Sequence, residues 1–425
     1  MYIKSLEINN IRSIEKFKME FENPAGWHVI IGDNGAGKST IIRSIALGLI
    51  GPTDAQALSS FEDFSNWLHP DEKKGIVSLE IIRDNQFDKP SYAMKKVPTA
   101  TATSKIEIDR INGNGKVTIS GKVTPDNALW GKNSNSGWFF AAYGPFRRLR
   151  GGVEVFAHLI SSRPRLGACL TAFRDDVALT QLTAWLKDLA LDAPRKPKAK
   201  STLESIIKFI NESKLLPSEA ILLDDIDSDG IKLKDANGVS VSLYDMSDGY
   251  RSVLSVTVDI IRFIIETYGA DTVFHNNGQK TIDLPGVVLI DEIDAHLHPT
   301  WQTRIGQWFT VYFPNIQFIV TTHSPLICRA SEIGTIWRLA APGSEDKSKQ
   351  VIGDDRNRLI YGNVLDAYGT EIFGSDVTIN TDATEKKEEL VQLSKKKTAG
   401  KISTDEETIL QELRKTFSTD DKLEL

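Results

Sequence analysis

The stretch Gly32-Asp33-Asn34-Gly35-Ala36-Gly37-Lys38-Ser39-Thr40 has the residue types and spacing to hold a polyphosphate. Its first eight residues fill the pattern G-x-x-x-x-G-K-[ST] without a gap. Glycines let the backbone curl so that successive N–H groups face phosphate oxygens, at a helix N-terminus whose dipole favours an anion. Lys38 would reach the β- and γ-phosphates, and the Ser39 hydroxyl would ligate Mg²⁺. "GVVLIDEIDAHLHP", Gly286 to Pro299, is an apolar run ending in two adjacent acids. Asp291 would hold Mg²⁺ through water, and Glu292 would polarise the attacking water as general base. "FIVTTHSPLI", Phe318 to Ile327, ends in polar residues and His323, which can hydrogen-bond a γ-phosphate and report its presence. A satisfied core histidine is the plain alternative. Ser247-Asp248-Gly249 stands at a helix start, where a hydroxyl and free N–H groups make a further anion site or an ordinary cap.

These residues need elements to hold them. "WHVIIG" before the loop is a short β-branched run, as a buried strand requires, and "STIIRSIALGLI" after it has apolar residues at helical spacing. Residues 1–31 read as two strands joined by a turn, then the strand entering the loop. Residues 76–124 hold short strand-like runs broken by "NGNG" and other turn signals, an antiparallel β-layer. "WFFAAYGPFRRLRGG", Trp138 to Gly152, reads as one more buried strand ending in a Gly-Pro turn with three arginines. "TQLTAWLKDLALD" and "TLESIIKFINESKLL" are helical by period. The basic, proline-containing "APRKPKAKS" between them reads as a loop, solvated or touching phosphate backbones. Residues 220–244 return to strands. A helix over about 248–268, the acidic strand, a helix from about Pro299, the histidine strand and "TIWRLA" follow. From about 341 the chain is polar, with two exposed helices whose charges nearly balance. The implied divisions are 1–150, a lobe with the phosphate loop and β-layer; 151–242, a helical insert; 243–340, a second lobe; and 341–425, a docking or oligomerisation tail.

A chain of 425 residues is expected to form two or three domains. Hydrophobic content of 40% supplies ample core, and a net charge of −6 argues against a generally basic nucleic-acid binder. Cys169 and Cys328 have no metal-ligand spacing and suit a reducing cytoplasm. Neither a signal core nor an 18-residue apolar run is present in the sequence, so no membrane segment is expected. His296 and His298 lack a third ligand, and Trp301 and Trp308 at helical spacing read as packing rather than base stacking.

The order of phosphate loop, "MSDGY", acidic strand and switch histidine resembles the ABC-type ATPase heads of the RecF, SMC and OLD proteins. Ser247 stands about 44 residues before the acidic pair, with Met-Ser-Asp-Gly-Tyr in place of Leu-Ser-Gly-Gly-Gln. The opening "YIKSLEINNIRSIEKFKMEF" is similar to those families' first strand pair. The resemblance covers roughly residues 1–50 and 243–340. It implies an α/β fold: an ABC-type P-loop head with antiparallel β-layer, helical insert and short helical tail. It also implies ATP and Mg²⁺ as cofactors, and a homodimer in which Ser247 and Gly249 of one head touch the nucleotide of the other. One departure stands out: "AAYGPFRRL" occupies the place of a glutamine. There Arg147 or Arg148 would contact phosphate or partner, or be ordinary surface arginines.

Lys38 and Ser247 lie about 209 residues apart, too far for a transporter ATP-binding subunit. The intervening residues show no sustained heptads, so SMC-type arms are not expected, and the stretch after His323 lacks an OLD-type nuclease pattern. "AAYGPFRRLRGG", "LTQLTAWLKDL", "DEIDAHLHP" and "RLIYGNVLDAYGTEIFG" resemble the Septu-type ATPases and their retron-associated relatives. That resemblance implies a sensor and scaffold of an anti-phage defence complex. Its partners would be a separate HNH-type nuclease and, in retron systems, a reverse transcriptase with noncoding DNA; nucleic acid and higher oligomers stay open. A RecF-like repair ATPase that clamps DNA is the alternative, and a nucleotide-locked scaffold that hydrolyses slowly is a third.

Overall fold

The computed structural model describes all residues except 89–99, 112–115, 125–129, 131–137, 148–161, 178, 217–219, 224–225, 227–230, 236, 275–279, 345, 364–380, 399–401 and 417–425. The turn at 112–115, Arg148 and the 364–374 part of the late stretch singled out above therefore lie outside the described residues. The chain divides into two compact units, Met1–Gly362 and Asn363–Leu425.

The first unit is built on two contrasting sheets. Strands β1 (Tyr2–Ile11), β2 (Ile14–Glu20), β4 (Lys74–Ile82), β5 (Thr101–Arg110) and β6 (Val117–Thr124) form an antiparallel layer in the order β2-β1-β4-β5-β6. "KVTIS" and "GKVT" are one strand rather than two. Burial alternates along β4 and β5, because one face meets the core and the other meets water. The second sheet contains β3 (Gly26–Ile31), β7 (Phe140–Tyr143), β11 (Gly286–Ile290), β12 (Ile316–Thr321), β13 (Ile336–Arg338) and β14 (Lys349–Val351). Its order is β14-β13-β3-β12-β11-β7, parallel except for β14. Every residue of β3, β7, β11 and β12 is buried, as a parallel sheet covered on both faces demands. The pairs Ile290↔Val320, Ile290↔Tyr143 and Ile30↔Thr321 bring the carboxyl ends of these strands level along one edge.

Helix α1 (Lys38–Leu58) joins the two sheets into one core. Ile41, Ile42 and Ile45 share it with Leu79 and Ile106 of the layer and with Val287 and Ile319 of the parallel sheet. The helix breaks at Gly51, whose φ is +79°, and resumes at Pro52. On the other side, α2 (Thr180–Asp192), α3 (Pro197–Glu212), α4 (Asp248–Tyr268) and α5 (Pro299–Tyr312) appear where the 3.6-residue period places them. The expected basic loop is a shorter one: Pro197 sits in the first turn of α3, where its missing N–H costs nothing. Trp308 packs, mostly edge-on, within a cluster of Phe209, Phe309, Tyr312 and Phe313, and its indole N–H donates to Ser213 O at 2.8 Å. It is a packing residue. Short strands β8 (Ile221–Leu222), β9 (Lys232–Lys234) and β10 (Ser240–Ser242) form a small separate sheet, and α6 (Gly353–Tyr361) ends the unit. In the second unit α7 (Thr381–Thr398) and α8 (Thr404–Thr416) pair through Leu393, Leu410 and Leu413. Among the described residues no helix is long and apolar enough to cross a membrane.

Candidate functional site

The loop between β3 and α1 is shaped for close approach. Gly32, Gly35 and Gly37 have φ of +156°, +81° and +98°, a region that side-chain-bearing residues enter at a cost. With Gly37 at the helix N-cap, the first N–H groups of α1 open onto the loop. Lys38 Nζ folds back to donate to the carbonyls of Gly32 at 2.7 Å and Asp33 at 3.0 Å. Burial lowers the pKa of this ammonium, opposed by the carboxylates of Asp291, Glu292, Asp33 and Asp294. Lys38 and the acidic strand are thus electrostatic neighbours although 253 positions apart in the chain. Ser39 and Thr40 follow in the first turn of α1, half-buried and buried.

Asp291 is buried at the tip of β11, and its amide donates to Tyr143 O at 2.8 Å. The Thr321 hydroxyl on the adjacent strand donates to Asp291 Oδ1 and accepts from the Glu292 amide at 2.7 Å. Next to it, Thr322 Oγ1 donates to Asp294 Oδ1 at 2.6 Å. Both threonines escaped the reading of "FIVTTH", where only the histidine was singled out. Hydroxyls at the end of a fully apolar strand were the available signal. Glu292 is half-buried with φ +49°, a left-handed conformation worth on the order of 1–3 kcal/mol of strain. His323 is exposed at the exit of β12, not a core histidine.

Arg147 is not the ordinary surface arginine that the sequence left open as one alternative. It is buried at 8% exposure, and its guanidinium donates to the main-chain oxygens of Asp291 at 3.4 Å and Glu292 at 2.9 Å. The turn between β1 and β2 was also missed as a site element. Ser13 and Ile14 lie over Gly37, and the Arg12 guanidinium stacks 4.8 Å from the Trp67 ring centroid. Burial, then repulsion from Arg43, lowers the Arg12 pKa.

Ser247 and Gly249 occupy a different face. Ser247 is the exposed N-cap of α4, and its hydroxyl makes no capping bond. A Cβ on Gly249 would lie 2.8 Å from His296 O, so the residue is held to glycine by close approach of the loop after the acidic pair. Both line a cavity of about 470 Å³ with His296, His298, Trp301 and Arg304. His298 caps α5 by accepting from the Thr300 amide. One chain therefore assembles Lys38, Asp291 and Glu292, and presents Ser247 and Gly249 outward beside them.

The chain is similar to several known proteins. Residues 5–138 match a family model described as "AAA domain". Residues 158–329 match a second AAA-domain model, whose description also mentions the AbiEii toxin and type IV TA systems. The chain is 27% identical over 341 residues to the Septu protein PtuA of Bacillus mycoides (strain KBAB4), a match covering 77% of this chain and 39% of that protein. It is 25% identical over 401 residues to the "Retron Ec83 probable ATPase" of Escherichia coli, covering 79% and 71%. The chain thus spans well under half the length of the first of these relatives. An SMC head solved bound to the C-winged-helix domain of ScpA is 16% identical, with a TM-score of 0.48, covering 84% of this chain and 100% of that one. The family models and the relatives support an ATPase, with a nucleotide as its ligand.

Proposed function

We propose that this chain is an ABC-type ATPase head that hydrolyses ATP and uses its nucleotide state to control a nuclease in an anti-phage defence complex. The observation that carries the reading is the meeting of Lys38, buried Asp291 and half-buried Glu292 at the carboxyl edge of the parallel sheet. Open-sheet α/β proteins bind ligands at that edge. Gly32, Asp33, Asn34, Gly35, Ala36 and Gly37 cradle the phosphates, with Lys38 and Thr40 at the head of α1. Ser39 and buried Asp291 would hold Mg²⁺, the serine through its hydroxyl and the carboxylate through water, and hydroxyl and carboxylate oxygens suit that ion. When bound, it would supply charge neutralisation for the phosphate oxygens. Glu292 takes the proton of the attacking water, and His323, exposed at the exit of the adjacent strand β12, reads the γ-phosphate.

Ser247 and Gly249 complete the site of a second copy. An uncapped serine at the start of a 21-residue helix is free to meet a phosphate from another chain. Two heads so joined close by two-fold symmetry around two ATP molecules. In this scheme 1–150 and 243–340 are the ATPase lobes, 151–242 the insert and 341–425 the docking or oligomerisation tail. The names of the Septu and retron relatives support a defence role, and the two free, buried cysteines suit a reducing cytoplasm. The partner is then an HNH-type nuclease, with a reverse transcriptase and noncoding DNA if the system is a retron. The test is purification of the tagged chain expressed with its native neighbouring genes, followed by identification of co-purifying protein and nucleic acid. A nuclease released or activated when ATP is consumed supports the reading. A lone dimer whose ATPase responds to DNA replaces it with a repair clamp.

A further inference from the structure

Resting on the reading of Glu292 as general base, we infer that Arg147 is a positioning residue for hydrolysis. Its guanidinium holds the Glu292 peptide in the left-handed conformation from which the carboxylate acts. Glu292 has a side chain yet sits at φ +49°, so something outside its own backbone preference keeps it there. Two anchors are visible. The Thr321 hydroxyl accepts from the Glu292 amide at 2.7 Å, and Arg147 donates to the Glu292 carbonyl at 2.9 Å and the Asp291 carbonyl at 3.4 Å. The peptide units on both sides of the Glu292 Cα are therefore tied down, and φ with them.

Arg147 is itself fixed. It follows β7 by four residues, and Tyr143 at the end of that strand takes the Asp291 amide on its carbonyl. The Tyr143 hydroxyl donates to Asp259 of α4 at 3.0 Å, and Arg262 bonds the same carboxylate at 2.8 Å. The arm thus grows from a buried, doubly bonded base. Burial lowers the Arg147 pKa to about 10, opposed by Asp291, Asp294 and Glu292, so the guanidinium stays charged near neutrality. Its Nε is buried with no acceptor among the described residues. The fork is spent on the carbonyls of the two peptide units that flank the Glu292 Cα, a two-point hold on that backbone. Lysine, whose donors all radiate from one nitrogen, cannot make the same planar fork.

The experiment compares wild type, Glu292→Gln, Arg147→Gln and Arg147→Lys for kcat, KM, nucleotide Kd and melting temperature. Arg147→Gln is expected to lose about a hundredfold in kcat while Kd for ATP changes by less than about threefold. Arg147→Lys is expected to recover about tenfold of that loss, since it restores charge and one donor. Wild-type kcat in Arg147→Gln overturns the inference. So does a loss that merely follows nucleotide affinity or the folded fraction, which marks a structural role. Where Arg147→Gln does not fold, Arg147→Lys decides: a folded variant with unaltered kcat overturns the inference, and one slowed at unaltered Kd supports it. A Glu292→Gln protein that turns over normally removes the premise, and the inference with it. Unaffected Arg147 variants beside an inactive Glu292→Gln protein remove the inference alone.

Discussion

The carboxyl edge of the parallel sheet and the face carrying Ser247 meet at the loop from Glu292 to His298, yet they are finished to different degrees. At the edge, Lys38, Arg147, Asp291, Thr321 and Thr322 are buried, and each is hydrogen-bonded by its own chain. On the other face, Ser247 is exposed and caps no N–H, and exposed Arg304 has no hydrogen bond or ion pair among the described residues. Buried polar groups must be satisfied where they fold, or they destabilise the fold. The edge is therefore preformed in one chain. Exposed groups carry no such obligation and stay available to a second surface. The comparison teaches that one half of the candidate site is finished by folding, while the Ser247 half, in the dimer proposed above, is left for a second copy to complete.

The strongest way to break that contrast is Glu292→Gln. Gln keeps the backbone bonds but cannot accept a proton, so turnover should fall by about a thousandfold while the ATP-bound dimer persists. Parallel ATPase and size-exclusion light-scattering measurements check both halves, and near-normal turnover would take the base role from Glu292. Lys38→Ala removes a charge-assisted donor from the edge and should weaken ATP binding by about a hundredfold, read by fluorescent-nucleotide titration. Unaltered affinity would contradict the phosphate-loop assignment. Ser247→Arg attacks the other face. It should leave nucleotide affinity within about threefold while the light-scattering dimer and the turnover disappear, because a long cation intrudes where a phosphate belongs. A mutant that still dimerises and hydrolyses ATP would make the two faces independent.

The smallest expected effect sharpens the edge from within. His28 on β3 is fully buried, with Nε2 2.8 Å from Pro24 O and Nδ1 3.0 Å from Thr335 Oγ1. Burial lowers its pKa from 6.5 to about 4, so the folded protein holds it neutral. As pH falls through that window the unfolded chain takes up a proton that the folded chain refuses. Stability present above pH 6.5 is then lost, by at most about 3 kcal/mol on reaching pH 4. Thermal unfolding at pH 7 and pH 5 should show a decline that shrinks in His28→Gln. An equal slope in both proteins would deny His28 the role.

The two sheets differ in how they could be read. β4 and β5 alternate because water faces one side, and β3, β11 and β12 are continuous apolar runs because helices cover both sides. Either pattern is local, so both were legible. Helices α4 and α5 begin where Ser247 and Pro299 announce them. The start of α3 was misplaced because a lysine-rich run with prolines reads as a loop until Pro197 is seen as a first-turn residue. For Thr321 and Thr322 the hydroxyls closing an apolar strand were a signal without a partner, and the Arg12–Ser13 turn carried none, since each acts through residues far away in the chain.

By itself the sequence determined the chemistry this protein is equipped for. The phosphate loop, the acidic pair and the switch histidine each sit within a few residues, and such motifs depend on local backbone geometry. Tertiary structure alone decided what holds them in place. Strand order sets Tyr143 beside Ile290 and Thr321 beside Ile30, and thereby brings Arg147 under a glutamate 145 residues away. Nothing in the neighbourhood of Arg147 in the chain specifies its acceptors, because a hydrogen bond across strands is fixed by register and burial rather than by residue spacing.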